Sequence, residues 1–348
     1  MIVVEGSGPV ALACALFLHR RGVAAQQLSV SINDGALPAA VANRTLAVSL
    51  GSWQLLSRII ALPAAAAIEQ IEVSLAGHAG KTRISAAEMK QVALGYVLDY
   101  QSLQQALNQA AHVAAMGHRE TSGQAISLRI NAQGEPGDQA SERQFNQHAI
   151  LARLSCPQLP HHCAYERFTR EGPLALLPLP QGGGFALVWC GLPQQSTRRM
   201  EQGEAQFIDE LVQHAGPRLL GAMLLSQRHS APLSRRSRST IVEGSQVWIG
   251  NAAQSLHPVA GQGLNLGLRD AFELARAVAQ PQSIAQALQT FAQVRSADRN
   301  RTISITDTLA SIFSVPALMP IESIAMALLD AAAVPRRLLA SSLMFGNR

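Results

Sequence analysis

Three stretches hold residue types whose spacing could do chemistry. Gly6-Ser7-Gly8-Pro9-Val10-Ala11 fits G-x-G-x-x-G/A, a pattern that handles phosphate when it follows a strand and opens a helix. The first glycine makes the turn, the second lets backbone amides reach a pyrophosphate, and the small third residue, Ala11, lets helix and strand pack closely. The helix N-terminus then adds partial positive charge. A second stretch, Trp248 to Asp270, carries Gly261 and Gly263 two residues apart, with Asn251, His257, Pro258, Gln262, Leu264 and Asn265 around them. Such a loop brings backbone amides against a flat ligand, and the following helix favours negative charge there, as on a reduced flavin. The third, Cys156-Pro157-Gln158-Leu159-Pro160-His161-His162-Cys163, offers thiols and imidazoles. Its spacing fits no common zinc pattern and adjacent histidines diverge, so it reads as a connecting loop, and no metal site is expected.

The surrounding elements are legible from periodicity. Met1 to Val4 is an apolar run into the glycine turn, and Pro9 to Arg21 has helical spacing of Val10, Ala13, Cys14, Phe17 and Leu18. Arg20 and Arg21 suit the last helical turn and Gly22 a left-handed C′ position. The next strand is expected over Gln27 to Ile32. A dinucleotide fold places Asp or Glu at its end to bind ribose, whereas Ser29, Ser31, Asn33 and a slightly late Asp34 stand there. Tyr165 to Thr169, Leu174 to Leu179 and Phe185 to Cys190 read as strands of a separate antiparallel sheet. Gln246 to Ile249 reads as a buried strand, with a helix from about Leu264 to Ala279. The remainder is mainly helical, with breaks expected at Pro316, Pro320 and Pro335.

Composition narrows the class. The 348 residues are 48% hydrophobic and 15% charged, which suits a packed globular protein. Four scattered cysteines and no secretion signal point to a reducing cytoplasm. The Ala-rich stretches are interrupted too early to span a bilayer, so at most peripheral contact with the inner face of a bacterial membrane is expected. The net charge is +5, with clusters at Arg198-Arg199 and Arg235-Arg236-Ser237-Arg238, but aromatics make up only 4%. No nucleic-acid motif accompanies them, so they read as a solvated face that would meet an anionic membrane or an acidic partner.

The run from Gly250 to Asp270 resembles the G-N/D-A-A-x-x-x-H-P-x-x-G-Q-G-x-N-x-G-x-x-D stretch that contacts FAD in the ubiquinone-biosynthesis hydroxylases. These form a branch of the p-hydroxybenzoate hydroxylase-like flavoprotein monooxygenases. Arg44 to Ser52, Leu174 to Leu179, Arg295 to Ile303 and Thr306-Asp307 resemble further segments of that family in the same order. The resemblance implies an α/β fold with a glutathione-reductase-type, Rossmann-like FAD-binding domain from residues 1–70, 96–160 and 235–290. It implies an inserted antiparallel-sheet substrate domain from 71–95 and 161–234, and a C-terminal helical region over 291–348. Carried over, Gly6 and Gly8 would face the FAD pyrophosphate, Arg44 the adenosine side, and Asn251 the pyrophosphate and ribityl chain. Pro258, Gly261, Gln262 and Gly263 would line the isoalloxazine ring, with Leu264 and Asn265 near its pyrimidine edge. His257 would shape the loop, because flavin hydroxylation needs no histidine base there. The implied activity is ring hydroxylation of a polyprenylated phenol with dioxygen and a transiently bound NAD(P)H. The expected assembly is a homo-oligomer or a multi-protein ubiquinone-biosynthesis complex.

One departure keeps a second reading open. The family carries an Ala/Gly-Asp-Gly turn after a strand like Phe145 to Ala152, but here Ala149 to Ser155 runs on to Cys156 without Asp-Gly. A flavin-deficient paralogue serving as a non-catalytic subunit of a quinone-biosynthesis complex would also fit. An NAD-dependent dehydrogenase using the first loop leaves Gly250 to Asp270 unexplained.

Overall fold

Short strands with alternating buried apolar residues, such as Ile2 and Val4 or Leu128 and Ile130, build a five-stranded sheet. In the computed structural model, which describes residues 1–42, 44–78, 80–119, 125–312 and 332–346, β1 (Ile2–Glu5) lies between β2 (Leu28–Val30) and β8 (Leu128–Asn131), parallel to both. Next to β8 runs β16 (Gln246–Trp248), also parallel, and β15 (Val242–Glu243) closes the edge. The second strand is shorter than expected at both ends: Gln27 belongs to a 3-10 turn over Ala25–Gln27, and pairing with β1 stops at Val30.

Helix α1 (Pro9–Arg20) is apolar on every side, the mark of a fully buried helix, and Leu12, Cys14 and Leu18 have no exposed surface. Pro9 suits its first turn, where the missing N–H costs nothing, and Gly22 follows at φ +100°. It shares its core with α4 (Tyr100–Val113) and α7 (Gln262–Val278). The approach is close: a Cβ on Gly267 would stand 2.8 Å from Val10 Cγ2 and 3.0 Å from Gly250 Cα.

The largest sheet runs in the order β17 (Gln254–Ser255), β14 (His229–Arg238), β9 (Ala140–Ser155), β12 (Phe185–Gly191), β11 (Gly172–Pro178), β10 (Cys163–Thr169), β5 (Gln70–Leu75), β6 (Lys81–Ser85), with β13 (Met223–Leu224) beside β9. One face packs Ile150, Leu174, Leu187 and Trp189 against Phe207 and Leu211 of α6 (Glu204–Ala215), which follows α5 (Pro193–Glu201). A third sheet joins β3 (Thr45–Ser49), β7 (Gly95–Asp99) and β4 (Ala66–Ile68). Two short helices, α2 (Ala39–Ala42) and α3 (Leu50–Leu56), flank β3.

The long β9 pairs antiparallel with β12 and β14 and leaves the parallel sheet to β8. The arginine clusters form a solvated face only in part: Arg198 is exposed and Arg235 and Arg236 are half-buried, but one arginine of each cluster is covered. Arg199 is buried, stacked 3.9 Å from the Trp189 ring centre and paired with Glu171 and Glu210; Arg238 is buried 3.9 Å over Trp248. Such stacking suits the planar guanidinium.

The chain ends in α8 (Ile284–Ile312) and α9 (Ala333–Phe345), with Pro335 in the first turn of α9. The expected breaks at Pro316 and Pro320 lie outside the described residues. No helix among the described residues is long and apolar enough to cross a membrane.

Candidate functional site

The glycine loop is held from two sides. A Cβ on Gly6, at φ +126°, would come within 2.6 Å of the Ala132 carbonyl oxygen after β8, so this turn tolerates no side chain. Gly8 caps α1, whose N-terminus has neither a side-chain cap nor an acidic residue in its first turn. Its leading amides are therefore available to an anion. Tyr100 Oη stands 3.5 Å from where a Gly8 Cβ would be, and Tyr100 N donates to Arg44 O at 2.8 Å. Gln104 Nε2 donates to Ser7 O at 2.7 Å. Gly6, Gly8, Ala11 and Arg44 thus gather where α1 meets α4, and Tyr100 and Gln104 join them without having been singled out in the sequence.

A cavity of about 370 Å³ continues from this loop between α4 and the segment after β2, lined by Asn33, Asp34, Gly35, Gln104 and Asn108 among others. Asp34 is already engaged: His112 Nε2 lies 3.0 Å from it and Asn108 Nδ2 3.3 Å. No free carboxylate ends β2.

The second loop is fixed at both ends. Gly250 to Ala252 form a 3-10 turn in which Gly250 N donates to Asp270 Oδ2 at 3.2 Å and Asn251 is exposed. His257 is buried, its Nδ1 accepting from Val259 N at 3.2 Å and its Nε2 3.2 Å from Gln147 Oε1, which assigns the proton to Nε2. Burial lowers it to about 4, so it stays neutral and shapes the backbone. Gly261 caps α7 in the left-handed conformation, φ +59°, and a Cβ there would stand 3.1 Å from Ala47 Cβ.

Asn265 does more holding than its expected role at a ring edge required. Its Nδ2 donates to Gly261 O at 2.7 Å and Ala47 O at 3.0 Å, and its Oδ1 accepts from Ser49 N at 2.8 Å. Its side chain is thus spent on holding the loop against β3. Gln262 is buried towards Leu343 O on α9. Pro258 is exposed, Leu264 half-buried, and a Cβ on Gly263 would meet nothing within 4 Å. The 17-residue α7 has no side-chain cap and no acid in its first turn.

Behind this loop lies a buried charge network that the sequence reading did not resolve. Asp270 pairs with Arg295 at 2.7 Å, and Asp298 with Arg295 at 2.6 Å and Arg269 at 2.8 Å. Arg299 donates to Gln254 Oε1 at 2.6 Å and to the carbonyls of Arg238 and Ala253. The signal was the spacing of Arg295, Asp298 and Arg299 on one helical face.

Among the described residues no three His, Cys, Asp or Glu side chains gather as a metal site. Cys156 and Cys163 are buried, and burial raises both thiols, Cys156 to about 11.

The family model for the FAD binding domain matches residues 104–303. A Synechocystis protein of uncharacterised function is 26% identical over 356 residues, covering 90% of this chain and 84% of its own length. The 3-demethoxyubiquinol 3-hydroxylase of Escherichia coli is 32% identical over 214 residues, 53% of this chain; the match spans only 54% of the hydroxylase. Among solved structures, Klebsiella pneumoniae HpxO complexed with FAD and uric acid superposes with TM-score 0.76 over 99% of this chain and 97% of its own, at 16% identity. That likeness shows the shared fold.

Proposed function

Because the chain belongs to the FAD binding domain family, we propose that it is an FAD-dependent monooxygenase that hydroxylates the aromatic ring of a polyprenylated phenol in ubiquinone biosynthesis. The observation that carries this reading is the pair of uncapped helix N-termini, α1 behind Gly8 and α7 behind Gly261. Neither helix has an acidic residue in its first turn to answer its orphan amides, and such amides need a partner. The residues present fit FAD. The cavity beside Asn33 and Gln104 gives room on the adenosine side, and the open space over Gly263 gives room at the second loop.

Gly6, Gly8 and Arg44 would hold the pyrophosphate and adenosine side, with Ala11 permitting the close packing behind them. Asn251 would hold the ribityl side. Pro258, Gly261, Gln262, Gly263, Leu264 and Asn265 would form the ring site through their backbone and its fixed shape. When bound, FAD would supply the redox chemistry that couples NAD(P)H and dioxygen to insertion of one oxygen atom. The chain's own task is to orient the phenol and keep water out. The face of the large sheet opposite α6 suits this, because Leu151, Ala175, Leu177 and Val188 on it are apolar and half-buried, an apolar bed of the kind that a prenyl tail needs.

The E. coli relative acts, by its name, on a demethoxyubiquinol, which supports the substrate class. Exposed Val334 and Leu338 on α9, beside Arg337, support peripheral contact with the membrane that dissolves such a substrate. A multi-protein ubiquinone-biosynthesis complex would pass intermediates between enzymes, and a homo-oligomer is the other assembly that the reading allows. The test is to load the purified protein with FAD and incubate it with 2-farnesylphenol, NADPH or NADH, and air. The expected product is heavier by one oxygen atom. A colourless protein that makes none would leave the non-catalytic subunit as the better reading.

A further inference from the structure

Glu166 stands in the middle of β10, between Ala164 and Phe168. Residues two apart on a strand share a face, and both neighbours fix where that face looks. Ala164 packs against Ile68 and Val97 of the third sheet, and Phe168 against Val259 of the second loop. Glu166 therefore opens between the third sheet and the loop that fits a flavin, on the side of the sheet away from α6. Its cross-strand neighbours are Val73 and Ala175, with Val188 one strand further. The carboxyl thus stands in an apolar floor. Ala175, Leu177, Val188 and Glu166 are largely but not wholly covered, whereas Leu174, Leu176 and Leu187 on the opposite face are buried.

We propose that Glu166 receives the phenolic hydroxyl of the aromatic substrate and takes its proton, an inference that rests on the hydroxylase reading above. The O–H bond of the phenol breaks and an O–H bond forms on a Glu166 carboxylate oxygen. No electrons are exchanged, and the negative charge left on the phenol oxygen enriches the ring carbons ortho and para to it. The proton passes to water when the product leaves.

An ordinary carboxylate is a poor base for a phenol whose own pKa is about 10. Burial alone pushes Glu166 up to about 8, which narrows that gap and suits general-base work. The titratable and charged side chains on the elements packed around it are few. Cys190 on β12 is held neutral by burial, with the Glu166 charge pushing the same way. Arg153 on β9 is paired with Asp99 at the end of β7 at 2.6 Å. His257 of the second loop is neutral, and Asp307 on α8 is paired with Arg143 and Arg235.

The test compares 2-farnesylphenol with its methyl ether, which has no proton to give, by calorimetric titration of the FAD-loaded protein at about pH 6 and about pH 9. The expected result is a preference for the phenol of about tenfold or more at the higher pH, as a hydrogen bond to a charged group gives, and little preference at the lower. Glu166→Gln should bind both ligands alike at either pH, and Glu166→Asp should recover part of the preference. An undiminished preference in Glu166→Gln would overturn the proposal. Should that variant fail to fold, a phenol-to-ether ratio in the unmodified protein that does not change with pH overturns it equally. If neither ligand binds the FAD-loaded protein, the hydroxylase reading itself falls, and this assignment with it.

Discussion

Gly263 and Gly267 lie four residues apart on α7, and a methyl group on each meets opposite conditions. On Gly263 it would touch nothing within 4 Å, whereas on Gly267 it would press on Val10 and the Gly250 backbone. Gly263→Val should therefore leave the melting temperature of the flavin-free protein nearly unchanged while abolishing retention of FAD through gel filtration. Yellow Gly263→Val protein would mean that the ring lies elsewhere. Gly267→Ala should instead destabilise the fold by about 1–3 kcal/mol, the usual result of overpacking a filled core, visible as a lower urea midpoint. The sequence marked Gly263 as a place of close approach and left Gly267 as a further glycine of the same run. It did not say which approach is to a ligand and which to the protein itself, because that depends on where α1 lies.

At the scale of elements, α8 is fastened to the second loop's foundations by Asp270, Arg295, Asp298 and Arg299. Asp270 also accepts from Gly250 N and Gln254 Nε2, so it joins helix to turn. Asp270→Ala would strand Arg295, whose side chain is 3% exposed, with part of its charge uncompensated. The expected loss is about 3–5 kcal/mol, read by chemical denaturation, and a loss below about 1 kcal/mol would show that water reaches the site. The strands and helices that carry the glycine motifs were legible because α1, β1 and β16 are apolar runs bounded by turn residues. The long β9 was not, since Ser141 to Gln144 are polar and exposed and no period-2 alternation marks its first half. Arg199 and Arg238 were misread for a related reason. Their partners Trp189, Glu171, Glu210 and Trp248 are spread along the chain, and only folding reveals that the charges are covered.

For the whole molecule, the candidate site exists only where three sheets and two helix N-termini converge. Its glycines could be found in one dimension, but Glu166 could not. Alternation along β10 gives two faces without saying which one looks towards the second loop. The same convergence makes cofactor identity measurable as stability. A ligand that binds only the folded protein adds about 2.7 kcal/mol at a hundredfold excess over its Kd, worth roughly 4 °C in a chain of this size. FAD should produce such a shift. NAD should not, because a nicotinamide dinucleotide would engage only the Gly6 loop, and the carboxylate best placed for its ribose, Asp34, is bound by His112 and Asn108. FAD would have the amides of α7 as a second anchor. Equal shifts with both dinucleotides would mean that the second loop contributes nothing to binding, and that the first loop alone is the nucleotide site.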